Sequence, residues 1–176
     1  LDPVGAGATD YRTVTARSLA SELEIAVIRG NASEILSVAG LETATRGVDT
    51  AHDVGEAARV GVELAGRLAT TVAITGEVDL VTDGATVLEV RAGHPLMGRV
   101  TGTGCAATVL VAAFCAVDRN PVAAAAGALA YFGIAGERAA TVAAGPGSFQ
   151  VALYDALAAI VPAELVAAGR IREVAR

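Results

Sequence analysis

Ile25-Ala26-Val27-Ile28-Arg29-Gly30-Asn31-Ala32-Ser33-Glu34 decides the architecture. Its first four residues form a short, continuous apolar run. Such a run is expected of a strand buried on both faces, not of one alternating between core and water. Arg29-Gly30 ends the run. Asn31 then caps a helix reaching about Val38, with Glu34 in capping-box spacing behind it. Strand, turn and helix in one short stretch is the building step of an α/β layered fold.

The step recurs on both sides. Leu1-Asp2-Pro3-Val4 reads as a strand end, followed by the glycine-rich Gly5-Ala6-Gly7-Ala8-Thr9 and a helix from Thr9 or Asp10 to about Leu23. The chain opens without Met and without a start signal, so that strand is expected to begin upstream. Downstream, Asp53 to Ala69 is the clearest helix. Val54, Ala57, Ala58, Gly61, Leu64, Ala65 and Leu68 make its apolar stripe, and Glu56, Arg59, Glu63 and Arg67 a charge ladder opposite. Thr71 to Thr75 is a second buried strand, and Leu80 to Val90 a hairpin around Asp83-Gly84. Gly93 to Gly104 reads as a long loop. Apolar helices follow at about Gly104 to Val117, Pro121 to Val142 and Gly147 to Ile160, and the tail after Pro162 is polar and expected to be peripheral. With no internal repeat or low-complexity linker, residues 1–176 read as one α/β domain, a mostly parallel central sheet flanked by helices.

Composition narrows the function. The 176 residues are 53% apolar with a mean hydropathy of +0.55 and only 3% aromatic, so Ala, Val, Leu and Gly fill the core. A formal charge of -6 and a pI near 4.9 argue against a nucleic-acid surface, which needs clustered cations. All thirteen basic residues are Arg, which leaves arginine or backbone amides to bind any phosphate. Cys105 and Cys115 fall in one helical stretch, roughly 15 Å apart and too far to bridge. Their free state suits a reducing cytoplasm. The longest apolar runs, Cys105 to Val117 and Pro121 to Ile134, are too short for a bilayer and no signal peptide is recognisable, so no membrane partner is expected.

In layered α/β folds, ligands bind outside the carboxyl ends of the strands. Asp2, Arg29 and Thr75 end the first three strands, and Gly102-Thr103-Gly104-Cys105 opens a helix. Glycines before that helix let the amides of Thr103 and Gly104 face a cavity, an anion hole suited to a transferring phosphoryl group. The alternative is a tight turn with a buried cysteine. Asp2 and Glu34 are candidate ligands for Mg²⁺, which takes one or two carboxylates and completes its shell with water and phosphate. A turn residue and a helix-capping carboxylate are the competing readings. Arg29 suits a nucleotide phosphate or a surface ion pair, and Thr75 a phosphate contact or a turn. His52 and His94 read as loop residues. Gly145-Pro146-Gly147-Ser148-Phe149 reads as a helix entry with Phe149 in the core.

Together these segments resemble the hydroxyethylthiazole kinase family of the ribokinase-like superfamily. The matching segments, in family order, begin with Asp2-Pro3-Val4-Gly5-Ala6, Tyr11-Arg12-Thr13 and Ile28 to Ile35. They continue with Thr75-Gly76-Glu77-Val78-Asp79, Val81-Thr82-Asp83-Gly84, Gly93-His94-Pro95-Leu96 and Val100-Thr101-Gly102-Thr103-Gly104-Cys105. Gly133 to Glu137 and Gly145 to Phe149 complete the set. The resemblance implies phosphorylation of the hydroxyl of 4-methyl-5-(2-hydroxyethyl)thiazole, with ATP as donor and Mg²⁺ as cofactor. It implies that Asn31-x-x-Glu34 with Asp2 serves magnesium and phosphate, that Arg29 and Thr75 contact ATP, and that Gly102 contacts the thiazole. Cys105 stands where sugar kinases of the superfamily carry an aspartate base, either as the base or as a group that positions the alcohol.

The resemblance also implies a homotrimer with shared sites. Family members carry a further portion before Asp2, so a chain of this length alone is expected to be inactive or poorly folded, with an exposed sheet edge. Rival readings are a hydroxymethylpyrimidine kinase, a dehydratase of hydrated nicotinamide cofactors and a non-catalytic nucleotide-binding module. Cys105 in place of Asp, and Asn31-Ala32-Ser33-Glu34, weigh against the two enzymes.

Overall fold

The structure, a computed structural model, describes residues 1–41 and 51–174, the side chains of 51–55 excepted. The side chains of His52 and Val54 therefore lie outside the described residues. Five strands form one sheet in chain order: β1 (Val27–Asn31), β2 (Thr71–Thr75), β3 (Asp79–Thr82), β4 (Val87–Val90) and β5 (Ile171–Glu173). The helices are α1 (Asp10–Glu22), α2 (Ala32–Ala39), α3 (Ala51–Leu68), α4 (Thr103–Cys115), α5 (Pro121–Ala140), α6 (Pro146–Ala159) and α7 (Pro162–Ala168).

The fold is α/β, with helices on both faces of the sheet, but the sheet is mixed where a mostly parallel one was expected. Among these five strands of the described residues, β1–β2 is the one parallel pair; β2–β3, β3–β4 and β4–β5 are antiparallel. Loop length explains the difference. The path from β1 to β2 contains α2 and α3, long enough for a parallel crossover. Between β2 and β3 stand only Gly76-Glu77-Val78, and between β3 and β4 only four residues, which closes hairpins. The second of these is the expected turn, where the Asp83 carboxylate accepts the amides of Ala85 (2.8 Å) and Thr86 (2.7 Å). The tail supplies β5, an exposed edge strand, along with α7.

Alternation along the strands divides the core into two layers. Ile28, Val72 and Ile74 face α1, α2 and α3, meeting Ile35, Leu36, Ala57, Val60 and Leu64. Val27, Ala73, Val81 and Val90 face α4, α5 and α6, meeting Ala107, Val111, Leu129, Phe132 and the fully buried Phe149. The second layer is built largely from alanine, which brings α5 close to the strands and to α4 and α6.

At the front, Leu1 lies beside β1. Its main-chain nitrogen donates to the Val27 carbonyl (2.8 Å) and its carbonyl accepts the Arg29 amide (3.0 Å), the pattern of a parallel ladder. The chain then turns at Pro3 to Ala6, and Thr9 caps α1 by accepting the Arg12 amide at 3.3 Å.

Candidate active site

The parallel pair sets the site. β1 runs to Asn31, beyond the apolar run that marked it in the sequence, so Arg29 lies within the strand and is buried. Side chains alternate, and Arg29 and Thr75 emerge on the same face, the one covered by α4 and α5. The Arg29 guanidinium donates through Nη2 to Thr75 Oγ1. Its Nε–H is buried without a partner among the described residues. A buried cation with an unused donor is an incomplete electrostatic arrangement that an anion completes.

Both side chains line a cleft of about 940 Å³. Thr103, Gly104 and Ala107 of α4 line it too, with Leu129, Phe132, Gly133 and Glu137 of α5, Arg91 to Pro95, Met97 and Gly98. Gly102 sits at φ 92°, a conformation that favours glycine, and starts α4 without a side-chain cap. The first amides of α4 are thus left without the usual side-chain acceptor, and the helix dipole adds positive potential there. Gly104 lets the guanidinium approach α4 closely, because a Cβ there would lie 3.0 Å from Arg29 Nη1. The Thr103 hydroxyl is committed elsewhere. It donates to the carbonyls of Met97 (2.9 Å) and Val100 (3.1 Å), so it ties the 3₁₀ turn Pro95–Arg99 to α4 and leaves its amide, not its hydroxyl, for a ligand.

Asp79 also lines the cleft, and burial pushes its carboxyl up to about 6, against the opposing pull of the Gly76 amide and the Arg29 charge. Nothing in its local sequence distinguished it from a turn residue, and it does accept the Gly76 amide at 3.0 Å.

Asp2, Glu34, Gly102 and Cys105 do not line this cleft. Asp2 accepts the hydroxyl of Thr108 on α4 at 2.8 Å through Oδ2, while its Oδ1 is buried without a partner among the described residues. Thr108 also reaches the Gly104 carbonyl (3.4 Å), which links this carboxylate to the first turn of α4. Glu34 is the capping-box residue that its spacing announced. Its two oxygens accept the amides of Gly5 and Asn31, each at 2.9 Å, while the Asn31 side chain accepts the Glu34 amide. Among the described residues no group of three His, Cys, Asp or Glu is gathered to hold a metal. The orphaned Asp2 oxygen nevertheless fits a hard cation that takes one or two carboxylates and otherwise binds water and phosphate. Cys105 is free and exposed in the first turn of α4. Cys115 is free as well, and burial pushes its thiol up.

The sequence model of the hydroxyethylthiazole kinase family matches residues 1–163. The chain belongs to that family. It is 54% identical over 173 residues to the hydroxyethylthiazole kinase of Desulfotalea psychrophila and 50% identical over 171 residues to that of Moorella thermoacetica. These alignments cover 98% and 97% of the chain, which spans 63% and 64% of those relatives. The solved structure of the hydroxyethylthiazole kinase protein from Pyrococcus horikoshii superposes with a TM-score of 0.87 at 41% identity, over 99% of this chain and 65% of that one. Family membership accounts for the order in which the strand ends, the capping box and the α4 turn follow one another. Among the described residues no single helix is long and apolar enough to cross a membrane.

Proposed function

We propose that the protein in its natural full length transfers the γ-phosphoryl group of ATP to the hydroxyl of 4-methyl-5-(2-hydroxyethyl)thiazole. One observation carries the reading: Arg29, Thr75 and the uncapped first turn of α4 converge on one cleft in a chain of this family. Arg29 and Thr75 bind the ATP phosphates, the arginine through the donors left free by its bond to Thr75. The amides of Thr103 and Gly104 stabilise the charge that develops on the phosphoryl group in flight. The alcohol oxygen forms its bond to the γ-phosphorus as the bond to the ADP oxygen breaks, and the hydroxyl proton is released. Gly102 and Cys105 seat that alcohol, and the exposed thiol is either the proton's first acceptor or only a wall of the seat.

Asp2 is the carboxylate best suited to Mg²⁺, with Glu34 completing an acidic edge while it caps α2. A bound magnesium ion would neutralise phosphate charge. The assembly proposed is a homotrimer with sites shared between neighbours, and the location the cytoplasm, which suits two free thiols.

ADP release by the full-length protein tests the reading with the thiazole alcohol, hydroxymethylpyrimidine and ribose compared side by side. Release that needs the thiazole alcohol and stops when Mg²⁺ is chelated is expected. Release supported equally by ribose, or by none of the three, would remove the substrate assignment.

A further inference from the structure

We propose that Arg170 is a positioning residue for the cleft: from the C-terminal tail it fixes the Arg91–Gly93 wall through Glu137. The role goes beyond the family match, which ends at residue 163. It rests on the reading of the cleft as the nucleotide site.

Arg170 holds that wall at both ends. Its carbonyl accepts the Arg91 amide at 2.9 Å. Its guanidinium meets Glu137 Oε2 at 2.6 Å, while the other Glu137 oxygen accepts the Gly93 amide at 3.2 Å. Between the two ends, Ala92 presses on Gly133 so closely that a Cβ there would lie 2.5 Å from the Ala92 Cβ and 2.6 Å from its carbonyl carbon. Arg91, Ala92, Gly93, Gly133 and Glu137 all line the cleft.

A half-exposed ion pair alone contributes little to stability. Here one carboxylate divides its two oxygens between a guanidinium and a loop amide. Removing the guanidinium leaves Glu137 free to swing, and the Gly93 amide loses a fixed acceptor. Arg172 is the internal control. It lies two residues on, in β5, and pairs with Glu89 at 2.9 Å, whose Oε2 also meets the Arg91 guanidinium at 2.9 Å, and not with Glu137.

The wall holds none of the groups assigned to the transferring phosphoryl group, so on the nucleotide reading of the cleft its loosening removes binding felt equally by ground and transition states. Such a loss raises KM and leaves kcat. The experiment uses the full-length protein with Arg170→Ala, Arg170→Met, Arg170→Lys and Arg172→Ala. It measures kcat, KM for ATP and hydrogen exchange over residues 91–98. For the Ala and Met variants we expect KM for ATP to rise about fivefold to tenfold with kcat within about twofold. The Gly93 amide should exchange about tenfold faster in both. The Lys variant should recover part of each effect, and Arg172→Ala should match the wild type. Wild-type KM and exchange in Arg170→Met would overturn the proposal, as would equal effects in Arg172→Ala. A wild type without ATP turnover would instead sink the kinase reading, and the exchange rates would still decide the role of Arg170.

Discussion

Asp79→Asn should make the protein more stable at neutral pH, although it removes a charge beside an arginine. The Asp79 carboxyl is pushed up to about 6 from 3.8, chiefly by burial. A group whose folded pKa is raised binds its proton more tightly in the folded state. Its stabilising contribution is therefore complete below the unfolded value and is lost as pH rises through the folded one. At about 1.4 kcal/mol per tenfold change in proton affinity, the rise corresponds to about 3 kcal/mol, most of it lost between about pH 4 and pH 7. Asparagine keeps the oxygen that accepts the Gly76 amide and carries no charge to desolvate. Urea denaturation of wild type and variant over that range isolates the effect, because other titrating groups cancel in the difference. The variant's advantage should grow by about 2 to 3 kcal/mol from pH 4 to pH 7. Parallel pH profiles would refute the reasoning and show that the Asp79 carboxylate is compensated in the folded protein.

Gly133→Ala puts a Cβ against the main chain of Ala92, which has no flexible end to yield, and should cost about 1–3 kcal/mol as an overpacked contact. Thermal unfolding checks it, and an unchanged midpoint would mean that α5 and the Arg91–Gly93 wall separate freely. Asn31→Ala removes the acceptor for the Glu34 amide and half of the capping box, a loss of about 1 kcal/mol measurable by denaturant unfolding. The substitution leaves both Glu34 oxygens on the amides of Gly5 and residue 31, so its effect reports the Asn31 side chain alone, and an unchanged midpoint would refute the cap.

Where local pattern and tertiary environment agreed, the sequence was enough. β2 occupies Thr71–Thr75 as its apolar run indicated, the stripe of α3 at Ala57, Gly61, Leu64 and Ala65 is buried, and Phe149 fills the core. β1 was read short because Arg29 and Gly30 interrupt its apolar run. In the fold the arginine stays in the ladder, since its charge reaches a cleft while its backbone pairs with Ala73. Sheet direction depended on the tightness of the Gly76-Glu77-Val78 connection, which hydropathy does not report. β5 is short, polar and exposed, and only its pairing with β4 makes it a strand.

The site divides along the same line. Arg29, Thr75 and Gly104 stood out because they punctuate strand ends and a helix start, and the fold brings them together. Asp79 and Glu137 did not, because their significance lies in burial and in partners far away in sequence, such as Arg170. Glu34 carried a legible local role, and both of its oxygens perform it.

The proposed function requires the Arg29–Thr75 edge of the cleft to hold the phosphates of ATP for transfer to a thiazole alcohol. Thiazole-dependent ADP release by the full-length protein and by its Arg29→Ala variant tests this most directly. Turnover is expected in the wild type, with a fall in kcat/KM of about 100-fold or more in the variant and the folded state intact by circular dichroism. Equal turnover in both proteins would contradict it and place the phosphates elsewhere.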